Sequence, residues 1–402
     1  MGDLACDLRD LGHEVMILTT TPHYNRDREA EARQPLRGSW GPFIRKSTFH
    51  GIPVFHTMMP HKGSNVVFRL ISWVGFHCLS TLAGLTAIPR PDIIIAPSPP
   101  LTIGVSAWVI GALRRAGFIY NVQEIYPDIA IRLRALRNPL AIRLLCRVEA
   151  FVYRKSSLVT VIAPRMRLNL LQKAVPDEKV KVIPNFVDLD DFLPLPKDNA
   201  FSRKYGVHTK FVVSYAGNFG IPQGLETFLD AARLLKDEPD IMFMMIGEGM
   251  QGETLRRRSA VLGLENLQFI PHQPFSQVPQ IYASSDANLV PQTAEAGFDA
   301  VPSKIYRIMA CARPVIAVTD PSSDLANLIT DAGCGIVVPP GSARDLAEAI
   351  LKAHKSGEEW ARLGTAGRTH VLGRFARKAV TGRYDRLIRE ILSSRSGPFR
   401  HD

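Results

Sequence analysis

Short apolar runs alternate with longer amphipathic segments along nearly the whole chain. In the first half the strand-like runs occupy residues 14–19, 93–96, 118–122, 158–162 and 180–183. Helical patterns lie between them, as at 139–155. Because strands and helices that alternate in this way form parallel strand–helix–strand units, the pattern predicts an α/β fold with a doubly wound parallel sheet.

The same alternation of strand-like and helical segments begins again after a proline-rich linker at 192–196, with strand-like runs at 211–216, 241–246, 267–270, 287–290 and 314–318. A chain of 402 residues is also too long for one typical core. We therefore expect two Rossmann-like domains, at 1–193 and 194–375, that face each other across a cleft. Residues 376–402 are expected to form a C-terminal helix and tail, with the helix packed back on the first domain. Ligands of such sheets bind at the carboxyl ends of the strands, so the cleft is the expected active site.

The start of the first domain departs from this pattern. An amphipathic helix at 4–11 precedes the first recognisable strand, whereas a helix in that place normally follows an earlier strand and a glycine-rich turn. The first strand of a doubly wound sheet is central. We therefore expect a gap in the middle of the sheet, and either a natural product that begins upstream of Met1 or an impaired first domain.

The net charge of +11 is placed unevenly. Residues 1–195 hold 24 Lys and Arg against 16 Asp and Glu, which leaves +3 for the rest of the chain. This excess favours an anionic partner of the first domain, either acidic lipid or a phosphorylated substrate. No interleaved aromatic and basic motif is present, which argues against nucleic acid.

The five cysteines are scattered and form no C-x-x-C pair or cysteine–histidine cluster, which argues against structural zinc and fits a reducing compartment. The first residues lead straight into a charged helical stretch rather than a signal peptide. We expect a cytoplasmic protein.

One uncharged segment, 70–89, approaches the length of a membrane span. Serine, glycine, threonine and histidine dilute it, and a span at this place would split the α/β pattern. Two interpretations remain open: a helix packed on the sheet, or a helix that dips its apolar face into lipid.

Two glycine-bearing turns follow strands of the second domain. Gly217 and Gly220 come after the strand at 211–216, and Gly247 and Gly249 come after the strand at 241–246. Glycines at these positions let the backbone approach a ligand, and a helix N-terminus follows the first turn.

The segment 301–317 adds a third element at the same edge. Pro302 suits the first turn of a helix, Ile305, Ile308 and Met309 share one apolar face, and Lys304 places a cation at the helix start. Together with the two turns, this arrangement predicts a site for a diphosphate. The alternative is a surface lysine on an ordinary capped helix.

The order of these pieces resembles the family 4 glycosyltransferases, which are two-domain GT-B enzymes that transfer sugars from nucleotide diphosphates. The second half carries YAGNFGIPQGLETFLDAARLL, FMMIGEGMQGETLRRRSAVLGLENLQFIPHQP, YASSDANLVPQ, VPSKIYRIMACARPVIA and GCGIVVPPG. The first half matches through GHEVMILTT, PDIIIAPSPP, YNVQEIYPDIAIRL and VIPNFVDLDDF. The branch it is most similar to assembles bacterial O-antigen, capsule and colanic-acid-type exopolysaccharide.

The chain departs from this family at charged positions. Many members carry Arg and Lys in the first donor loop, where Asn218 and Gln223 stand here. Many also have two Glu seven residues apart, where Asp299 and Arg307 align. We infer that Lys304 replaces the lost diphosphate cations, because fixed cations stabilise the charge that develops on the leaving group. By this resemblance the donor-binding residues are Gly217, Asn218, Phe219, Gly220, Gln223, Gly247, Gly249, Asp299, Pro302, Ser303, Lys304 and Asp324.

On the acceptor side, Glu124 stands where family members often have His or Asp, and it is the candidate catalytic residue beside Lys304. Asp128 is the reserve. Alternatively, Glu124 caps the next helix or pairs with Arg132 or Arg134. Asp324 either substitutes for the missing ribose carboxylate or caps a helix.

No D-x-D motif suited to a metal-bound diphosphate occurs in the sequence, so the resemblance implies metal-independent transfer without a cofactor. The expected donor is a UDP-sugar, and the expected acceptor is a growing glycan or a polyprenyl-diphosphate-linked sugar. An anionic membrane surface, on the inner face of the cell membrane, is a further expected partner of the first domain. Its candidate contacts are the 70–89 helix and Arg143, Arg147, Arg154, Lys155, Arg165 and Arg167. A UDP-N-acetylglucosamine 2-epimerase-type enzyme and a catalytically impaired nucleotide-sugar-binding protein are the alternatives.

Overall fold

The computed structural model describes residues 1–21, 31–32, 34–40, 43–58, 66–297 and 301–396. The expected α/β fold with two parallel-sheet domains is confirmed. In the first domain the elements are, in chain order, α1 (Gly2–Asp10), β1 (Ile17–Thr20), β2 (Arg37–Trp40), β3 (Ile44–Phe49), β4 (Ile52–Thr57), α2 (Val66–Thr86), β5 (Ile93–Ser98), α3 (Ile103–Arg114), β6 (Gly117–Val122), α4 (Asp128–Arg132), α5 (Pro139–Lys155), β7 (Leu158–Val161), α6 (Pro164–Gln172) and β8 (Val180–Val182).

These strands form two separate sheets rather than one. The first has the order β1-β4-β3-β2 and is parallel only between β1 and β4, and the second is a parallel sheet with the order β5-β6-β7-β8. In the described part of the chain no strand pairs one sheet with the other.

The β3–β4 hairpin is absent from the sequence-based prediction. Its turn consists of His50 and Gly51, both with positive φ (46° and 84°), between the paired residues Phe49 and Ile52. Two residues with positive φ form the tight turn that matches the twist of a hairpin. The β-branched residues on either side of a His-Gly pair were the available signal.

The second domain contains α7 (Ala200–Lys204), β9 (Phe211–Ala216), α8 (Glu226–Leu234), β10 (Ile241–Ile246), α9 (Gly252–Val261), β11 (Leu267–Ile270), α10 (Val278–Ala283), β12 (Ala287–Pro291), α11 (Lys304–Ala310), β13 (Val315–Val318), α12 (Asp324–Ala332), β14 (Gly335–Val338) and α13 (Ala343–Arg374), which kinks at Gly357. A final helix, α14 (Arg377–Ser396), follows.

Its sheet is parallel, with the order β11-β10-β9-β12-β13-β14. The chain first moves outward from β9 through β10 to β11, and then returns to place β12 on the other side of β9. This reversal makes the carboxyl ends of β9 and β12 the switch point of the sheet, where ligands of open α/β sheets bind. The loops after β9 and β12 meet there.

The last helix lies against the first domain. Val380 and Tyr384 of α14 share a buried cluster with Leu4 and Leu8 of α1 and with Ile119 of β6. These apolar contacts hold α14 on one face of the β5–β8 sheet, and helices α3, α5 and α6 pack on the other face.

An ion-pair cluster adds to this packing. The Arg377 guanidinium donates to both carboxylate oxygens of Asp7 and to Asp188 at 2.7 Å. The two domains also share one hydrophobic cluster, which includes Met166 of the first and Ile305 and Leu325 of the second.

Most of the uncharged 70–89 segment lies in α2, which ends at Thr86 and whose inner side packs on α3. The His77 ring shares hydrogen bonds with the hydroxyls of Thr102 (2.7 Å) and Ser106 (3.2 Å). Trp73 and Val74 are exposed on the other side. Within the ranges given above, no helix is long and apolar enough to cross a bilayer.

Candidate functional site

The lysine that begins α11 points toward the end of β9. Ile305, Ile308 and Met309 of α11 are buried, as their spacing predicts. Since these three fix one face of the helix, Lys304 emerges beside the β9 loop. Its Nζ donates a hydrogen bond to the carbonyl oxygen of Ala216 at 3.1 Å and lies 3.9 Å from the centre of the Tyr215 ring.

The charge of Lys304 has no acidic partner in this arrangement. No carboxylate of the described residues lies within ion-pair distance of its Nζ. Removal of the ammonium from water lowers the pKa of Lys304 from 10.5 to about 7. A carbonyl dipole and an aromatic face are the groups that hold the cation, and both attract it without neutralising it. The site therefore suits an anion that would supply the missing negative charge.

Two glycines are required for the close packing of the loops around Lys304. A Cβ atom at Gly247, whose φ is 137°, would lie 2.0 Å from the carbonyl oxygen of Gly217. A Cβ atom at Gly217 would lie 2.8 Å from the Lys304 Nζ. Any side chain at either position would displace a loop or the lysine, so Gly217 and Gly247, two of the four predicted glycines, are needed for this close packing.

Some amides expected to bind a phosphate are already used within the protein. The N–H of Gly217 donates to Ile246 at 2.9 Å, and that of Gly247 donates to Ile270 at 3.0 Å. The N–H of Phe219 donates to Glu248 at 2.8 Å. These three amides are therefore not free donors, and any contact of Gly217, Phe219 and Gly247 with a donor would have to use other atoms. The Phe219 side chain is also fully buried, which makes it a core residue.

Other amides of the same loops remain open. The N–H groups of Asn218, Gly220, Glu248 and Gly249 have no protein acceptor in the described part of the chain. They lie in the loops after β9 and β10, on the same sheet edge as Lys304. Asn218, Glu248 and Gly249 are exposed, whereas Gly220 is buried.

The side chains of the first loop are neutral. Asn218 is exposed, and its carbonyl accepts a hydrogen bond from the Tyr215 hydroxyl at 2.7 Å. The Gln223 Oε1 is buried without a hydrogen-bond partner among the described residues. It also lies 2.8 Å from where a Cβ of Gly220 would be. A buried acceptor without a donor loses free energy, so Gln223 suits a ligand that donates a hydrogen bond.

The start of α11 differs slightly from the prediction. The helix begins at Lys304, so Pro302 precedes it rather than occupying its first turn. Ser303 is exposed at the cap position, and its side chain makes no capping hydrogen bond. Ser303 is thus placed beside Lys304 with a hydroxyl that no helix amide uses.

The two family carboxylate positions behave differently. Asp299 lies outside the described residues. Arg307, at the second position, stacks its guanidinium on the rings of Phe192 and Phe275, at 5.5 and 5.1 Å. It therefore packs on the segment that joins the domains.

Asp324 connects the two domains instead of capping its helix. Ser323 is the cap of α12, with its hydroxyl accepting from the Ala326 N–H at 3.1 Å. The Asp324 carboxylate accepts from the Arg165 backbone N–H at 2.8 Å. Burial raises the pKa of Asp324. The capping alternative is wrong, and the proposed ribose contact would have to compete with this bond.

Glu124 lies two residues beyond β6, at the edge that faces the cleft. The side chain is exposed, and its carboxylate makes no hydrogen bond or ion pair with any described residue. Neither alternative holds, because α4 begins at Asp128 with Pro127 before it, and no arginine of the described ranges pairs with Glu124. Partial removal from water raises the pKa of Glu124. An unpaired carboxylate with a raised pKa is suited to accept a proton.

Asp128 has a structural role that the sequence did not reveal. Its carboxylate accepts from Lys173 at 2.7 Å and from Asn169 at 3.0 Å. The same Lys173 ammonium donates to the buried Glu149 at 2.6 Å. With both oxygens engaged, Asp128 anchors the start of α4, and the reserve role on the acceptor side is not supported by this geometry.

Sequence reasoning also missed Tyr215 and Ala216. Both look like ordinary residues of a buried strand in the sequence, and their contacts with Lys304 join positions that are 88 apart for Ala216 and 89 apart for Tyr215. No local pattern carries that information.

Comparison with known families accounts for both halves of the chain. The family described as "Glycosyl transferase 4-like domain" matches residues 1–185, and the family described as "Glycosyl transferases group 1" matches residues 197–370. The two matches follow one another without overlap.

Two curated relatives are similar over much of the chain. The putative colanic acid biosynthesis glycosyl transferase WcaI of Escherichia coli (strain K12) is 26% identical over 366 residues, which cover 88% of this chain and 87% of the relative. The probable glycosyltransferase WbjE of Pseudomonas aeruginosa is 25% identical over 265 residues, which cover 65% and 66%.

Solved structures share the fold at lower identity. A sucrose-phosphate synthase from Thermosynechococcus elongatus superimposes with a TM-score of 0.72 at 18% identity, covering 97% of this chain and 92% of that one. Anabaena HepE, solved in complex with UDP and glucose, gives a TM-score of 0.71 at 19% identity, covering 98% and 94%. The chain therefore belongs to the group 1 glycosyltransferases, the family 4 enzymes, and has their two-domain GT-B fold.

Proposed function

We propose that this glycosyltransferase moves a sugar, a hexose or an N-acetylated or deoxy hexose, from a UDP-sugar to a lipid-linked or growing glycan during cell-surface polysaccharide biosynthesis. The observation that carries the donor assignment is the unpaired ammonium of Lys304 at the end of β9, 3.1 Å from the Ala216 carbonyl oxygen. A diphosphate placed there would meet this cation and the open amides of the neighbouring loops.

The proposed chemistry needs stabilisation of the leaving diphosphate. Negative charge grows on the β-phosphate as the sugar–phosphate bond breaks. Fixed donors that are already oriented lower the energy of that state. Lys304 supplies a full charge, and the amides of Asn218, Gly220, Glu248 and Gly249 supply dipoles. In this proposal the protein cation takes the place of a metal ion, so turnover is expected to persist in excess EDTA.

On the acceptor side, Glu124 is proposed to take the proton of the acceptor hydroxyl or to contact the donor sugar. Its carboxylate lies at the carboxyl edge of β6 with no protein partner among the described residues, and the raised pKa of Glu124 brings its proton affinity closer to that of a useful base. The pathway assignment takes support from the name of one curated relative, a putative colanic acid biosynthesis glycosyl transferase. The proposed place of action is the inner face of the cell membrane.

The experiment that tests the donor is a thermal-shift screen of UDP-, GDP- and dTDP-sugars, since a ligand that binds only the folded state raises the melting temperature. We expect UDP and UDP-sugars to stabilise the protein and the other nucleotides to have smaller effects. A second assay measures UDP release with and without polyprenyl-diphosphate-linked acceptor. Release that depends on the acceptor supports transfer. Conversion of the UDP-sugar without acceptor would instead indicate an epimerase-type reaction, and tight UDP binding without turnover would indicate a binding protein.

A further inference from the structure

The outward face of α5 combines leucines and arginines in a way that the fold does not explain. Leu140 and Leu144 are 70% and 61% exposed, and Arg143 and Arg147 are exposed between and after them. The spacing i, i+3, i+4, i+7 places all four on one side of the helix. The helix itself is firmly defined, because the Asn138 side chain caps it by accepting from two backbone amides.

This face is positive without any acidic neighbour on its own helix. The only acidic residue of α5, Glu149, is buried on the inner side, where Lys173 and the Tyr153 hydroxyl bind its carboxylate at 2.6 and 3.0 Å. Arg154 and Lys155 continue the basic face and lie over the rings of Phe151 and Trp108, each at 5.9 Å. No acidic residue of α5 lies on its outward side, and no described residue forms an ion pair with Arg143 or Arg147.

The position of α5 places this face next to the acceptor side of the cleft. A helix that connects parallel strands begins at the carboxyl edge of the sheet. The first half of α5, with Leu140 and Leu144, therefore lies at the same edge as Glu124. Helix α3 packs between α5 and α2, and α2 exposes Trp73 and Val74.

We propose that the outward face of α5, defined by Leu140, Arg143, Leu144 and Arg147, docks on an anionic lipid bilayer. Leucines interleaved with arginines on one helix face suit an interface in which apolar side chains enter the acyl boundary and guanidinium groups meet phosphate headgroups. The surface binding stands independently of the reaction. That it delivers a lipid-linked acceptor to Glu124 rests on the proposed function.

Vesicle co-sedimentation of the full chain tests this surface. The wild-type protein is expected to bind vesicles containing phosphatidylglycerol at low ionic strength, to bind pure phosphatidylcholine vesicles weakly, and to be released by salt. Leu140→Ser with Leu144→Ser should lower the partition coefficient roughly tenfold. Arg143→Ser with Arg147→Ser should lower binding and also flatten its salt dependence.

Matched controls lie on the second domain. Leu234→Ser with Val261→Ser removes two exposed apolar side chains, and Lys352→Ser with Lys355→Ser removes two exposed charges. Both controls should bind vesicles like the wild type. Absence of wild-type binding at low ionic strength would overturn the proposal, and so would equal losses in the control and α5 variants.

The outcome is separable from that of the proposed function. UDP stabilisation of the α5 variants should match the wild type, because the donor site lies on the other domain. If UDP fails to bind the wild type while the α5-dependent vesicle binding persists, the donor assignment is wrong and the docking surface stands.

Discussion

The ammonium group of Lys304 lies 3.1 Å from the carbonyl oxygen of Ala216, the last residue of β9. This contact brings the loop after β12 against the end of β9, at the switch point of the sheet. It also fixes the direction of the cation, because the Tyr215 ring lies 3.9 Å below it. A lysine held only by a dipole and a ring has no counter-ion of its own, so its ammonium form can pair with an anionic ligand. The predictions for the donor side follow from that.

Replacement of Lys304 by methionine is expected to abolish turnover while the fold remains intact. The apolar stem is kept, and only the charge that stabilises the leaving diphosphate is lost. We expect a fall in kcat of about 10²-fold or more, on the order of a few kcal/mol of transition-state stabilisation. UDP release gives the rate, and thermal unfolding checks the fold. Arg307→Met, which removes a cation of the same helix that stacks on Phe192, is the control for UDP binding. Near-normal turnover of Lys304→Met would contradict the assignment.

The affinity for UDP is expected to fall as the pH rises above 7. The pKa of Lys304 is lowered from 10.5 to about 7 in the empty protein, so the ammonium form becomes the minor species above that pH. Since the diphosphate selects the charged form, the dissociation constant should rise by up to about tenfold per pH unit. Titrations between pH 7 and 9 measure this slope, where the phosphates of UDP are already ionised. Lys304→Met should show no such slope.

The lowered pKa of Lys304 also determines the direction in which the free energy of unfolding changes with pH. Between pH 7 and the ordinary lysine range the unfolded chain holds a proton at Lys304 that the folded, empty protein has lost. The free energy of unfolding therefore rises with pH in this window, relative to Lys304→Met. Burial of the charged form costs stability below pH 7, and deprotonation relieves that cost. Urea unfolding of the wild type and of Lys304→Met at pH 6.5 and 9 would show how the difference in their free energies of unfolding changes. These pH values lie roughly half a unit below and two units above the shifted pKa. An unchanged difference would argue against a buried ammonium.

Glu124→Gln is expected to lower kcat by about 10²- to 10⁴-fold with little change in UDP affinity, because the variant keeps the shape of the side chain but loses the base. Partial removal from water raises the pKa of Glu124, so the acid limb of the wild-type pH–rate profile should lie above the ordinary glutamate range. Glu265→Gln, an exposed glutamate of the second domain, is the matched control. Full activity of Glu124→Gln would exclude Glu124 as the base.

Gly247→Ala is expected to disrupt the donor loops. The new Cβ would lie 2.0 Å from the Gly217 carbonyl oxygen, so one loop must move and UDP binding should weaken. Gly263→Ala provides the control, because Gly263 also has a positive φ (61°) but nothing lies within 4 Å of its Cβ position. Gly263→Ala should lower the free energy of unfolding only by the backbone strain of a non-glycine residue at positive φ, about 1–2 kcal/mol. Equal loss of UDP affinity in both variants would show that loop packing is not the cause.

Lys173→Met is expected to destabilise the first domain by about 3–5 kcal/mol, because it leaves the buried Glu149 carboxylate without its counter-ion. Adding Glu149→Gln should recover part of this loss, since the uncompensated charge is then removed. Denaturant unfolding measures both. A double variant less stable than the single one would contradict the interpretation of Lys173 as the partner of Glu149.

Regular elements with local signals could be predicted from the sequence. Helix α5 has the bounds 139–155 that its pattern indicates, because Asn138 caps it and Pro139 suits its first position. The hairpin at His50 and Gly51 escaped prediction. Its buried positions include Ser47 and His56, whose side chains satisfy each other at 2.7 Å and break the apolar alternation.

The sequence by itself determined the strands of the second domain, since β9 and β10 are apolar runs buried on both faces and need no distant partner to be recognised. It also determined that a lysine begins the helix after β12. Only the tertiary structure decided that this lysine lies on Ala216, that the Gly217 and Gly247 amides are already bonded, and that Asp128 belongs to an ion pair. The physical reason is that hydrogen-bond partners and the loss of water around a charge depend on segments far apart in the chain, which come together only when the loops pack at the switch point.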